Sequence, residues 1–244
     1  MPRPFLRLAS REDGAVLASE TADLPRIAGL HEGEWRRVRM EAGELPALDL
    51  GEWSGAIVCG SPPSTPRAIR RARRRRRRAR RRGCAPSTTA HSTSPSPFLG
   101  ICYGLGTLAL HLGGTVDTAH GEEISGIALR RTAASAGDPL LEGVPETFSA
   151  YVGHHEAVSA PAPGMTLLVE GEAAPVQMVR IGEAAWATQF YPELDLAGVE
   201  VRIDEYGGRY YPVEKAEEIR RQVRGVDVSP AHLVLRNFVA LHRR

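Results

Sequence analysis

The stretch Ser96–Val116, SPFLGICYGLGTLALHLGGTV, decides the fold. Pro97–Ile101 is an apolar run of the kind a fully buried strand carries. Cys102 follows at once, between Gly100 and Gly104. Thr107–Leu112 then places apolar residues at helical spacing, and Gly113-Gly114 closes the pattern. The order is strand, sharp turn, helix, with a thiol at the turn. Gly-x-Cys-x-Gly has the form of an elbow whose small flanking residues let the chain turn tightly and lift one side chain above a sheet. A helix beginning there aims its unpaired N–H groups and the positive end of its dipole at the sulfur, which favours thiolate over thiol. A buried structural cysteine is the competing reading of the same residues.

Outward from this stretch, strands and helices alternate. Phe5–Ala9, Trp35–Met40, Gly55–Cys59 and Ala185–Phe190 read as strands, and Gly14–Gly29 as a helix whose end Pro25 disturbs. Leu45–Trp53 is an acidic loop or short helical segment. Gly60-Ser61-Pro62-Pro63 is a strong turn signal. This alternation predicts βαβ units and an α/β fold: a flavodoxin-like, doubly wound, mostly parallel sheet flanked by helices. Ligands of such sheets bind outside the carboxyl ends of the strands, where both Gly60 and Cys102 fall. Short β-like pieces follow the elbow at Thr115–Asp117, Ile124–Arg131, Thr147–Val152, Met165–Glu170 and Pro175–Ile181, and read as a β-rich lobe. The tail is helical: Leu196–Tyr206, Val213–Val223, and a last helix capped by Ser229-Pro230 with Val234, Phe238 and Leu241 on one face. The whole chain, 1–244, reads as a single domain.

One segment breaks the pattern. Residues 64–96, STPRAIRRARRRRRRARRRGCAPSTTAHSTSPS, stand where a crossover helix should link two parallel strands, yet offer almost nothing apolar to bury. Twelve Arg fall within Arg67–Arg82, which turns the +2 of the whole chain into −10 for the remainder. Three readings compete: a solvated segment that attracts nucleic acid, a genuine polybasic insertion, or a pair of compensating frameshifts in GC-rich DNA. The frameshift fits best, because the run replaces an element that the fold requires. The acidic remainder argues against a nucleic-acid partner.

Apolar residues make up 42% of the 244, enough for a substantial core, and no run of 18 apolar residues suggests a membrane span. The N-terminus lacks the apolar segment of a signal peptide. Three cysteines, Cys59, Cys84 and Cys102, make no disulfide framework, so a cytoplasmic location is expected. Histidines and cysteines are scattered without metal-ligand spacing, so neither metal nor other cofactor is expected.

Three motifs in order, the Gly60-Ser61 turn, the Cys102 elbow and Gln189-Phe190-Tyr191-Pro192-Glu193, resemble the class I glutamine amidotransferases. The pattern of that family is a Gly-Gly-Pro turn, a Gly-x-Cys-x-Gly elbow and a Gln-Phe-His-Pro-Glu segment. The resemblance implies a catalytic nucleophile at Cys102, with Glu193 matching the acid that orients the base and Tyr191 standing at the position of the base. It implies an oxyanion hole from the main-chain N–H of Tyr103 and one in the Gly60-Ser61 turn, with Gly104 beside them. His154, in YVGHHEAV, matches a residue that lines the glutamine site. The implied substrate is glutamine or another γ-glutamyl compound, hydrolysed with loss of ammonia. The chain has no room for a synthetase, so a separate synthetase subunit is the implied partner.

Three departures stand out. Tyr191 replaces His, and a phenol with a pKa of about 10 does not relay protons at neutral pH as an imidazole does. Gly106 stands where the family often has Gln, and Ser61 replaces the second Gly of the turn. Tyr191 and Gly106 support an alternative: a catalytically impaired relative that acts as a binding or regulatory protein.

Overall fold

The computed structural model describes residues 2–12, 14–40, 48–62, 96–208 and 211–244. The Arg run, Cys84 and the crossover expected between the third and fourth strands lie outside these residues, as do residues 45–47 of the Leu45–Trp53 segment, whose described part holds a short 3-10 turn at Leu50–Glu52.

Strands β1 (Phe5–Ala9), β2 (Trp35–Arg39), β3 (Gly55–Val58) and β4 (Phe98–Ile101) run parallel, with β11 (Ala185–Thr188) parallel to β4. Their spatial order is β2-β1-β3-β4-β11, the 2-1-3-4-5 order of the flavodoxin-like fold. β3 reads GAIV and is buried throughout, which explains its unbroken apolar run. The parallel sheet continues without interruption into antiparallel strands. β10 (Met178–Ile181), β9 (Met165–Glu170), β6 (Glu122–Arg131) and β7 (Thr147–His154) extend it to nine strands. The expected β-rich lobe is therefore the far half of one sheet. β5 (Thr115–Asp117) pairs with β8 (Ala157–Ala160) in a small second sheet. β8 escaped the sequence reading because its four residues, AVSA, carry little β signal.

Helix α1 (Ala15–Ala28) buries Val16, Leu17, Leu24 and Ile27, and Pro25 is accommodated inside its last turn. Helix α2 (Tyr103–Leu112) begins directly at the elbow. Helices α3 (Leu196–Tyr206), α4 (Ala216–Arg224) and α5 (Ser229–His242) complete the fold. α5 buries Ala231, Val234, Leu235 and Phe238, whereas Leu241, expected on that face, is 49% exposed. Among the described residues, no helix is long and apolar enough to cross a membrane.

Candidate active site

Cys102 is the one described non-glycine residue with positive φ, at φ 49° and ψ −89°. Such a conformation costs on the order of 1–3 kcal/mol and persists only where the surroundings impose it. The Cys102 N–H donates to Thr188 O at the end of β11 (2.7 Å), and the Cys102 carbonyl accepts from Gly106 N (3.1 Å). The helix also crosses its own strand too closely for side chains. A Cβ on Gly100 would stand 2.8 Å from the Gly104 carbonyl carbon, and one on Gly104 would stand 3.1 Å from Val58 O. Both flanking glycines are thus required by close approach. Tyr103 is the first helical residue, so its main-chain N–H is among those a helix leaves without an internal partner, while its ring is 38% exposed.

The turn after β3 faces the same region. Ser10 Oγ donates to Gly60 O (3.2 Å). In a trans peptide the N–H points opposite to the carbonyl, so the Ser61 N–H faces away from Ser10. Gly60 is pressed from two sides. A Cβ there would meet Tyr191 Cε1 at 3.0 Å and Arg11 Nη2 at 3.1 Å.

The 189–193 segment is fixed largely by its main chain. Gln189 N donates to Gln177 O (2.8 Å), Tyr191 N to Tyr151 O (3.0 Å), and Thr188 Oγ1 to Phe190 O (2.9 Å). His232 Nδ1, from α5, lies 2.9 Å from Pro192 O. This frame delivers the Tyr191 hydroxyl to 3.1 Å from Cys102 Sγ and 3.1 Å from Gly153 O, with Gln189 Nε2 3.7 Å from the same sulfur. A phenol has one proton for these two acceptors. When it donates to Gly153 O, its oxygen can accept the thiol proton; when the sulfur is anionic, it can donate to the sulfur.

Behind this pair lies a buried ionic cluster. Glu20 on α1 accepts from Arg7 Nη2 (2.7 Å) and from Arg11 Nε (3.0 Å). Arg202 on α3 reaches toward Glu20 (3.8 Å) and Glu193 (3.6 Å), and its guanidinium lies 5.2 Å from the centre of the Tyr191 ring. Arg11 also bonds the Tyr206 hydroxyl. Glu193 is fully buried, and neither of its carboxylate oxygens has a hydrogen-bond partner among the described residues. Burial, opposed by Arg202, pushes the Glu193 carboxyl up to about 7. Glu20 goes the other way: its burial is outweighed by Arg11, Arg7 and Arg202, which hold it below the usual carboxylate range. Burial also raises the Cys102 thiol, against the lowering effects of the Tyr191 hydrogen bond, Arg11 and Arg202. The neighbouring Cys59 is raised further, first by burial and then by Glu20.

His154 lies at the end of β7, next to the Gly153 carbonyl that Tyr191 engages. Its own ring is buried and turned to Glu122 (Nε2 to Oε2, 2.8 Å), which also accepts from Gln177 (2.9 Å). The structure thus gathers Cys102, Tyr191 and Gly60, places Glu193 behind them against Arg202, and turns His154 Nε2 to a buried carboxylate. Sequence reasoning missed Arg11, Glu20, Arg202 and His232. For two of them a signal exists. Glu20 stands on the stripe Leu17, Glu20, Leu24, Ile27, and Arg202 stands between Val199 and Ile203. A charge on an apolar face is buried and must be paired.

Fold and site together define an α/β protein with a cysteine at a strand–helix elbow. The sequence model for glutamine amidotransferase class-I matches residues 57–203, and the chain belongs to that family. It is 33% identical over 147 residues to a glutamine-hydrolyzing GMP synthase of Thermus thermophilus, a match covering 54% of this chain and 27% of that protein. A GMP synthase of Thermosipho africanus is 32% identical over 99 residues, covering 40% and 18%. The chain therefore spans about a quarter or less of these relatives. Among solved structures, a glutamine amidotransferase from Thermotoga maritima superposes with a TM-score of 0.67 at 17% identity, covering 98% of this chain and 97% of that one. A glutamine amidotransferase from Methylobacillus flagellatus gives 0.63 at 17%, covering 99% and 96%. These two likenesses speak for the fold.

Proposed function

We propose that this chain is a single amidotransferase domain that hydrolyses the side-chain amide of glutamine or of a γ-glutamyl compound through Cys102. The observation that carries this reading is the strained elbow: a half-buried cysteine at a helix N-terminus, hydrogen-bonded by the Tyr191 hydroxyl. Sγ attacks the amide carbon, the carbon–nitrogen bond breaks, and ammonia leaves carrying the proton that Sγ gave up. Water then cleaves the thioester, restoring the thiol and releasing the acid. The main-chain N–H groups of Tyr103 and Ser61 receive the oxyanion. Tyr191 passes the proton by exchanging its two hydrogen bonds. Phenol is a poor relay at neutral pH, so turnover is slower than a thiol–imidazole pair would give. The partner is a synthetase domain or subunit that consumes the ammonia, in keeping with the GMP synthase relatives.

Glutamine turnover by the wild type, Cys102→Ala and Tyr191→His tests this. Turnover in the wild type that falls at least about 1000-fold in Cys102→Ala supports the reading. A silent wild type beside a Tyr191→His variant active by orders of magnitude overturns it, and leaves a glutamine-binding or regulatory relative. The observation favouring that second reading is the same Tyr191 contact, which fills the position of the base with a phenol.

A further inference from the structure

The cluster behind Cys102 holds more positive than negative charge. Among the described residues, Arg7, Arg11 and Arg202 face only the carboxylates of Glu20 and Glu193, and Glu193 is half-protonated near neutrality. Unpaired buried charge is costly, so the surplus calls for an anion. The other ionisable groups that act on or within this cluster are Cys102, Cys59, Tyr191 and Tyr206. Cys59 is fully buried at the end of β3, and Tyr206 is bonded to Arg11. Cys102 is half-buried at the open end of the sheet.

The geometry points in one direction. Arg11 Nη2 and the Tyr191 ring close on the same point, where a Gly60 Cβ would stand, and Arg202 covers the face of that ring. Arg11 commits Nε to Glu20 and Nη1 to the Tyr206 hydroxyl, and Arg202 commits Nη1 to Gly198 O, while Arg202 Nε and Nη2 have no hydrogen-bond partner among the described residues. We propose that Arg202, with Arg11, is a positioning residue: anchored on Glu20, the pair presents fixed positive charge to Cys102 and does there the electrostatic work that an imidazolium at position 191 would otherwise do. Tyr191 then contributes one hydrogen bond, and the arginines contribute the charge. Burial raises the Cys102 thiol and Glu193 reinforces that rise, while the Tyr191 hydrogen bond and the two arginines oppose it. Arg202 and Glu193 therefore act on the sulfur with opposite signs.

The inference rests on Cys102 being the reactive group, and its test reads the sulfur without needing glutamine turnover. The full chain is alkylated with iodoacetamide from pH 6 to 10, and the Cys102 peptide is followed by mass spectrometry to separate it from Cys59 and Cys84. The sulfur displaces iodide and its proton goes to solvent. Arg202→Met is expected to move the profile toward higher pH and to slow alkylation at pH 7.5 by about tenfold, since one pKa unit is tenfold in thiolate. Arg202→Lys restores most of the rate, and Glu193→Gln raises it severalfold. Unchanged profiles in folded Arg202→Met and Glu193→Gln would overturn the proposal. If Arg202→Met does not fold, Glu193→Gln decides alone: faster alkylation supports the proposal, and an unchanged or slower rate overturns it. Profiles that shift as expected in a chain that never hydrolyses glutamine would leave this inference standing and remove the proposed activity.

Discussion

The elbow at Cys102 and the loop at 189–193 meet at one sulfur, yet they are built by different means. The elbow is a main-chain object: strain at one residue, two glycines in contact, and a helix end aimed at the thiol. The loop is held by its main chain as well, through Gln177, Tyr151 and His232, but what it delivers is decided by side chains. There the Tyr191 hydroxyl meets the sulfur, with Arg202 of α3 over its ring and Arg11 of the β1–α1 loop beside it. Backbone geometry is hard to alter in pieces, because one methyl group displaces a whole crossing. Side-chain electrostatics can be rebuilt residue by residue around an unchanged frame.

The sharpest way to break this comparison is to damage the frame. Gly100→Ala places a methyl 2.8 Å from the Gly104 backbone, so it is expected to cost about 3 kcal/mol and to abolish Cys102 reactivity. Denaturant unfolding with parallel alkylation checks both. A second perturbation touches only the electrostatics. The folded chain keeps a proton on Glu193 up to about pH 7, whereas an unfolded Glu has lost it well before. Stability should therefore fall as pH rises from about 4.5 to 7, by up to about 3 kcal/mol from this group. Glu193→Gln should flatten that fall, as urea midpoints measured from pH 5 to 8 would show; the same slope in the variant would remove Glu193 as its source. The smallest effect is expected one turn into the elbow helix. A Cβ on Gly106 would meet only Val116 methyls, at 3.9–4.0 Å, so Gly106→Ala should stabilise by about 0.5–1 kcal/mol without changing Cys102 alkylation.

What was legible in the sequence divides along the same line. The buried strands at 55–58 and 98–101, the elbow and the three-motif order could be read because backbone constraints write small residues and apolar runs into the chain. The extent of the antiparallel extension could not, since nothing local in β6, β9 or β10 says whether these strands continue the central sheet or fold apart from it. The ionic cluster was hidden for a further reason. In a chain with 31 basic residues, almost all Arg, no single arginine stands out. Arg11 carries no local signal, whereas Glu20 and Arg202 could have been found as charges on the apolar stripes of α1 and α3. At His154 the sequence located the segment but not the side-chain partner: Nε2 lies 2.8 Å from Glu122 Oε2, while Nδ1 has no hydrogen-bond partner among the described residues.

The most direct test of a frame that presents Cys102 to an amide is acid-quenched mass spectrometry after mixing the wild-type chain with glutamine. With a phenol rather than an imidazole at 3.1 Å from the sulfur, hydrolysis of the thioester should lag its formation, so the peptide containing Cys102 should carry a glutamyl group and ammonia should appear in step with it. A Cys102 peptide that stays unmodified at saturating glutamine, with no ammonia released, would contradict the account.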